Sequence, residues 1–370
     1  MKTKKSANIF AKILYFGISI CGGILMGLSI SYAPAVMDSM PALIGFCLFC
    51  VFSASIVQII VHEGGHLLFG LLSGYRFSSF RIGSLALVRV SGKFKLRRYS
   101  VSGTAGQCLM LPPEEGWENM KVIAYNMGGA LLNIITALAA FFLADITEGF
   151  LADWLGTLGT MGMVYAALNG VPINNGQLSN DGSNMLNLVR NPSLKKCFWV
   201  QLAAVGALAE GTRLRDMPQE WFAIPEGYDF SNPLCSAVRI METQRLMDQG
   251  RYETAAEEMR AMLRQGGLQG LYENLIRLDL VTAEMITSGD DADTGVLKEK
   301  AMKRFMSSMG RSPSVIRTLY CAALVNDKDP KKAQELRKKF ERTAVTYPYP
   351  AELHMERELM DAALERSKED

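Results

Sequence analysis

Residues 61–66 read Val61-His62-Glu63-Gly64-Gly65-His66 and lie inside an apolar run from Leu43 to Leu72. The chain has three histidines; two of them are here, four positions apart, with a glutamate beside the first. On a helix at about 100° per residue, positions i and i+4 fall within about 40° of each other, so both imidazoles can reach one ion. His-Glu-x-x-His on a helix is a zinc-hydrolase pattern: two nitrogens hold Zn2+ and the glutamate takes a proton from the attacking water. In a soluble chain such a pair is often a hydrogen-bonded packing feature. In a span with no other charge, ionisable groups are destabilising and are usually kept for function. The stretch therefore reads as half of a metal site, with His62 and His66 as ligands and Glu63 as general base.

Around this stretch the composition divides. The chain has 370 residues and a net charge of only +2, and it carries no basic-aromatic platform of the kind nucleic acid requires. The first half holds long charge-free apolar runs, whereas residues after about 231 are rich in Glu, Lys, Arg and Asp. That contrast predicts a membrane domain over 1–210, a linker over 211–235 and a soluble cytoplasmic α-helical domain over 236–370. The seven cysteines are scattered, and Cys47-x-x-Cys50 lies mid-span without a second pair, so both read as small apolar residues.

Four membrane spans are expected. Lys2, Lys4, Lys5 and Lys12 precede a charge-free run from Ile13 to Met37, long enough to be retained as a helix with its N-terminus in the cytoplasm. The second span runs from about Pro41 to Leu72, and His62 lies about 32 Å along it, toward the cytoplasmic face. Residues 75–120 carry Arg76, Arg81, Arg89, Lys93, Lys95, Arg97 and Arg98 and are placed inside by the positive-inside rule. Within them, residues 85–90 and 93–99 around Ser91-Gly92 predict a small cytoplasmic hairpin. The plainer reading of that hairpin is a membrane-surface loop held to lipid headgroups by its arginines. The alternative is a sheet edge that pairs with an unwound substrate. Gly103 to Pro113 reads as irregular chain returning to the membrane.

The third span is charge-free from Val122 to Ala144 and carries Asn126 and Asn133 on one face, which read first as glue between helices and second as groups that bond backbone near the site. The turn from Asp145 to Asp153 is acidic and lacks Lys or Arg, as expected outside. The fourth span opens near Trp154 and breaks at Asn169-Gly170-Val171-Pro172 before Asp181-Gly182. Broken backbone at membrane depth is tolerated where it is buried in protein or lines a cavity. Two imidazoles leave a hydrolytic zinc site one protein ligand short. Asp181, an isolated acid at the cytoplasmic level of His62 and His66, is the best candidate. His354, the remaining histidine, lies far off in the tail and reads as a surface residue.

With these two motifs the sequence resembles the site-2 protease family of intramembrane metallopeptidases. The resemblance covers about residues 41–190. It implies that His62, His66 and Asp181 bind zinc, that Glu63 is general base and acid, and that Asn169 and Pro172 shape a substrate-facing loop. It departs from the common Asn-x-x-Pro-x-x-x-x-Asp-Gly spacing, at which this chain has Gln177; Asp181-Gly182 comes later, as if the loop were extended. The resemblance further implies an integral protein of a bacterial cytoplasmic membrane that cuts peptide bonds in or near a transmembrane segment of a membrane protein or peptide precursor. Local unwinding of the helical substrate would be required, because a helix hides its peptide bonds in its own hydrogen-bond ladder.

In the tail, residues 194–209 are too short to span and predict an interfacial or buried helix. From Ser236, helical patterns alternate with short breaks. Leu246-Met-Asp-Gln-Gly250-Arg-Tyr252 resembles a tetratricopeptide-type turn, with a weaker echo at Asp327 to Ala333. Such a region suits binding of a protein partner. The fold class expected is thus mainly α: a polytopic helical membrane domain with a small hairpin, plus an all-α repeat-like domain. Two other functions compete with the peptidase. A non-catalytic membrane scaffold would recruit partners through the tail. A metal transporter would need ionisable residues in the outer halves of the spans, which the sequence lacks.

Overall fold

The computed structural model describes residues 2–90, 92–99, 105–173 and 179–369. Ser91, Gly103 and Gln177, on which parts of the sequence reading fall, lie outside the described residues. The chain is mainly helical with a small antiparallel sheet and divides into two compact units, residues 1–83 with 104–195 and residues 84–103 with 196–370.

The first unit contains α1 (Lys2–Ser29), α2 (Tyr32–Val36), α3 (Met40–Leu72), β1 (Arg76–Ile82), β4 (Gly106–Leu111), α4 (Val122–Asp145), α5 (Gly149–Gly170) and α6 (Asp181–Arg190). Helices α3, α4 and α5 pack on one another, and α1 packs on α5. Small residues set these approaches. A Cβ on Gly65 of α3 would lie 2.3 Å from the Gly128 carbonyl oxygen of α4, so the two backbones touch there. On α5, Gly156 faces Ser29, Gly159 faces the Phe141 ring and Gly162 faces Ala137 and Gln58. Asp153 is 1% exposed and accepts the amides of Ser31, Tyr32 and Ala33 at 2.8–3.0 Å, which fixes the turn into α2.

Of the four helices expected to span a membrane, α3 and α4 are long and apolar enough to do so, while Ile13–Ser29 is a shorter apolar helix. In α5 the glycines and threonines that admit its neighbours dilute its hydropathy. The stretch expected to be irregular before Pro112 is instead largely β4, which pairs antiparallel with β1 from Gly106↔Ile82 to Leu111↔Arg76. Alternation explains the difference: Cys108 and Met110 point inward while their neighbours are partly exposed.

The second unit contains β2 (Leu85–Val90), β3 (Lys93–Arg98) and α7 (Lys195–Glu210). It continues with α8 (Pro233–Asp248), α9 (Tyr252–Gln265), α10 (Gly270–Ser288), α11 (Lys300–Ser308), α12 (Pro313–Cys321), α13 (Pro330–Ala344) and α14 (Pro350–Glu369). The expected hairpin forms, with Leu87 opposite Leu96 and Gly92 at φ +76° in its turn. Helix α7 is partly buried and joins this unit: Gln201 donates to the Leu234 carbonyl at 3.2 Å, and Trp199 meets Trp221 edge-on. The boundary therefore falls after Lys195 rather than at 210, and the expected linker holds two 3-10 turns around the buried Phe222.

Helices α8 to α14 enclose a core that includes Ile240, Met259, Ile276, Ile316, Phe340 and Leu359. Gly250, at φ +73°, makes the α8–α9 turn where a glycine was expected, because that region is strained for residues with a Cβ. Arg317 is buried in this core, donating to Glu356 at 2.7 Å and Asp279 at 2.6 Å.

Candidate metal centre

Helix α3 presents His62 and His66 one turn apart, both buried, toward α4. The approach of α4 depends on Gly129, where a Cβ would come 2.5 Å from His62 Cε1 and 2.8 Å from His66 Nε2. Asp181 arrives from elsewhere in the sequence, in the first turn of α6. Its position follows from a backbone contact: a Cβ on Gly182 would lie 2.1 Å from the Gly170 carbonyl oxygen, so the start of α6 rests on the end of α5. Asn180 ties the same junction. Its side-chain NH2 donates to the carbonyls of Leu168 (2.7 Å) and Val171 (2.6 Å), and its oxygen accepts from Ile173 and Ser183.

The result is a nearly equilateral triangle. His62 Nε2 to Asp181 Oδ2, His66 Nε2 to Asp181 Oδ2, and His62 Nε2 to His66 Nε2 are each 3.2 Å. Three ligand atoms bound tetrahedrally to one ion at 2.0–2.1 Å would be about 3.3 Å apart, so the spacing fits a single small cation.

The hydrogen-bond partners of the rings fix which nitrogens are available. Asn133 donates its NH2 to Gln58 O and Oε1 at 2.9 and 2.7 Å, and Gln58 in turn donates to the Leu158 carbonyl at 3.0 Å. The Asn133 oxygen is therefore an acceptor, and His62 Nδ1, 2.8 Å away, must donate to it. His66 Nδ1 likewise donates to the Tyr125 carbonyl at 2.9 Å. In the neutral rings both Nε2 atoms then carry lone pairs directed at the same point as a carboxylate oxygen. Three acceptors converging without a donor repel one another, and a cation among them removes that conflict.

Glu63 lies beside the triangle and points at β4. Its Oε2 accepts the Cys108 amide at 2.7 Å, and Gly106 leaves room for it, since a Cβ there would be 2.9 Å from Glu63 Oε1. Burial, and then the charge of Glu63, push the Cys108 thiol up to about 12, so it is a neutral thiol. Tyr75 stacks on Tyr125 at 4.5 Å behind His66, and burial raises its hydroxyl above the ordinary tyrosine range.

The structure thus brings His62, His66, Asp181 and Glu63 into one neighbourhood. Asn169 bonds back to the Tyr165 carbonyl of its own helix at 3.0 Å, and Pro172 is exposed just past the end of α5. His354 is exposed on α14. Three contributors went unread in the sequence: Gln58, Asn180 and the role of Asn133 as a partner of His62. Gln58 is the single amide between Leu43 and Val61 and lies one helical turn before His62, a signal that could have marked it. No protein-family model, curated protein or solved structure matches this chain.

Proposed function

We propose that this chain is an intramembrane zinc endopeptidase of the site-2 protease type, acting on a membrane-spanning protein or a peptide precursor. The observation that carries this reading is the triangle of two Nε2 lone pairs and one carboxylate with a glutamate beside it. His62, His66 and Asp181 would hold Zn2+, which when bound polarises a carbonyl and acidifies water. Glu63 would take the proton of the attacking water and return it to the leaving amine. The Cys108 amide orients the Glu63 carboxylate, so proton transfer begins from a fixed oxygen.

Placement in a bilayer is supported by exposed apolar surface. The most apolar window of α3 is only 17% buried and that of α4 33%, with Phe52 70% exposed and Phe142 66% exposed. A helix in the core of a soluble protein would bury such residues, whereas hydrocarbon accepts them. In this reading α1 and α5 span as well, the termini are cytoplasmic, and the substrate unwinds beside β4, whose Cys108 amide faces Glu63.

Glu63→Gln separates catalysis from binding and from scaffolding. The purified variant should keep its zinc, measured by mass spectrometry of metals, while cleavage of a reconstituted membrane substrate falls by at least about 100-fold. Undiminished cleavage would overturn the mechanism. Normal cellular function with both Glu63 and His66 substituted would favour the non-catalytic scaffold.

A further inference from the structure

A groove of about 530 Å3 lies between the α11–α12 turn and the α13–α14 turn of the second unit. Arg311 and Ser312 line it from one side, Lys339 and Arg342 from the last turns of α13, and Tyr347 and Tyr349 from the turn that follows. Its size is that of a small-molecule site. Its charge is one-sided, because three cations line it and no carboxylate does.

Of the neighbouring acids, Glu352 bonds the Tyr347 hydroxyl, and Glu341 and Asp361 are committed elsewhere. Glu341 pairs with Arg357 at 2.8 Å and Asp361 with Arg337 at 2.7 Å. Among the described residues Arg311, Lys339 and Arg342 have no ion-pair partner, and Arg342 spends only its Nε, on the Lys338 carbonyl at 3.3 Å. Three like charges around one concavity repel one another and concentrate positive potential in it, which a multiply charged anion relieves. Guanidinium groups match phosphate oxygens in pairs, and an ammonium adds a point charge. The two tyrosine rings, 5.6 Å apart and nearly perpendicular, supply an aromatic wall against which a flat ring can lie.

We propose that this groove binds a phosphate-bearing small molecule of nucleotide size, its phosphates held by Arg311, Lys339 and Arg342 and its ring against the tyrosines. The site is independent of the metal centre, and its test needs no proteolysis. Titration calorimetry on the full chain in phosphatidylcholine nanodiscs would use ATP and inorganic tripolyphosphate as probes. Saturable binding of ATP is expected, with Kd raised at least about tenfold by the double substitution Lys339→Ala and Arg342→Ala. Lys303→Ala, an exposed cation on α11 outside the groove, should leave Kd unchanged, and unaltered melting of the variants would show that they fold. Tripolyphosphate should bind more weakly than ATP; equal binding would overturn the role given to the tyrosines. Absence of saturable binding of either probe up to about 1 mM, or a Kd unmoved by the double substitution, would overturn the proposal. So would binding confined to nanodiscs that contain phosphatidic acid, which would make the ligand a lipid headgroup.

Discussion

Asn133 shows how much of the proposed metal centre would be decided one residue away from its ligands. Its oxygen sets the proton on His62 Nδ1, and its NH2 is itself fixed by Gln58. Removing such a partner typically lowers metal affinity 10–100-fold without removing a ligand. Asn133→Ala should therefore weaken zinc retention by about that factor in competition with a chelator. Asn126→Ala should not, because among the described residues Asn126 bonds only the Val122 carbonyl of its own helix. From the sequence these two asparagines were indistinguishable, being seven apart on one face. His62, Glu63 and His66 stood out because ionisable groups in an apolar span demand a reason, and Asp181 as the isolated acid just past a broken one, whereas a lone amide such as Gln58 suits core packing equally well.

At the scale of elements, the two glycines inside the motif have different environments. A Cβ on Gly65 would enter the Gly128 backbone, while one on Gly64 would meet nothing within 4 Å. Gly65→Ala should force α3 and α4 apart and abolish metal binding, read as loss of zinc and a lower melting temperature. Gly64→Ala should be tolerated, and it should strengthen the helix by up to about 1 kcal/mol where no close approach is required. The sequence could not assign either glycine, since helix-destabilising residues look alike until a neighbour is placed against them. The helices themselves were legible from apolar runs bounded by Gly, Pro and charge. Strand β4 was not, because Gln107-Cys-Leu-Met-Leu111 lacks the β-branched alternation by which half-buried strands are usually recognised.

For the molecule as a whole, the division between apolar and charged halves was plain in the composition, and the charges buried in the second unit were not. Burial and the adjacent Glu356 raise the Glu352 carboxyl from its ordinary 4.5 to about 8. The folded chain therefore holds this proton at pH values where the unfolded chain has lost it. Stability contributed by this group is greatest below about pH 4.5 and declines as pH rises toward about 8. Heat unfolding followed by circular dichroism at pH 6 and pH 8 should show the decline, and Glu352→Gln should flatten it. Because Asn180 and the Gly170–Gly182 contact clamp both sides of the break after α5, the number of residues between Pro172 and Asn180 is uncoupled from where Asp181 sits. A loop of another length there would leave the His62, His66 and Asp181 triangle in place, and a fixed-gap pattern search would pass over it.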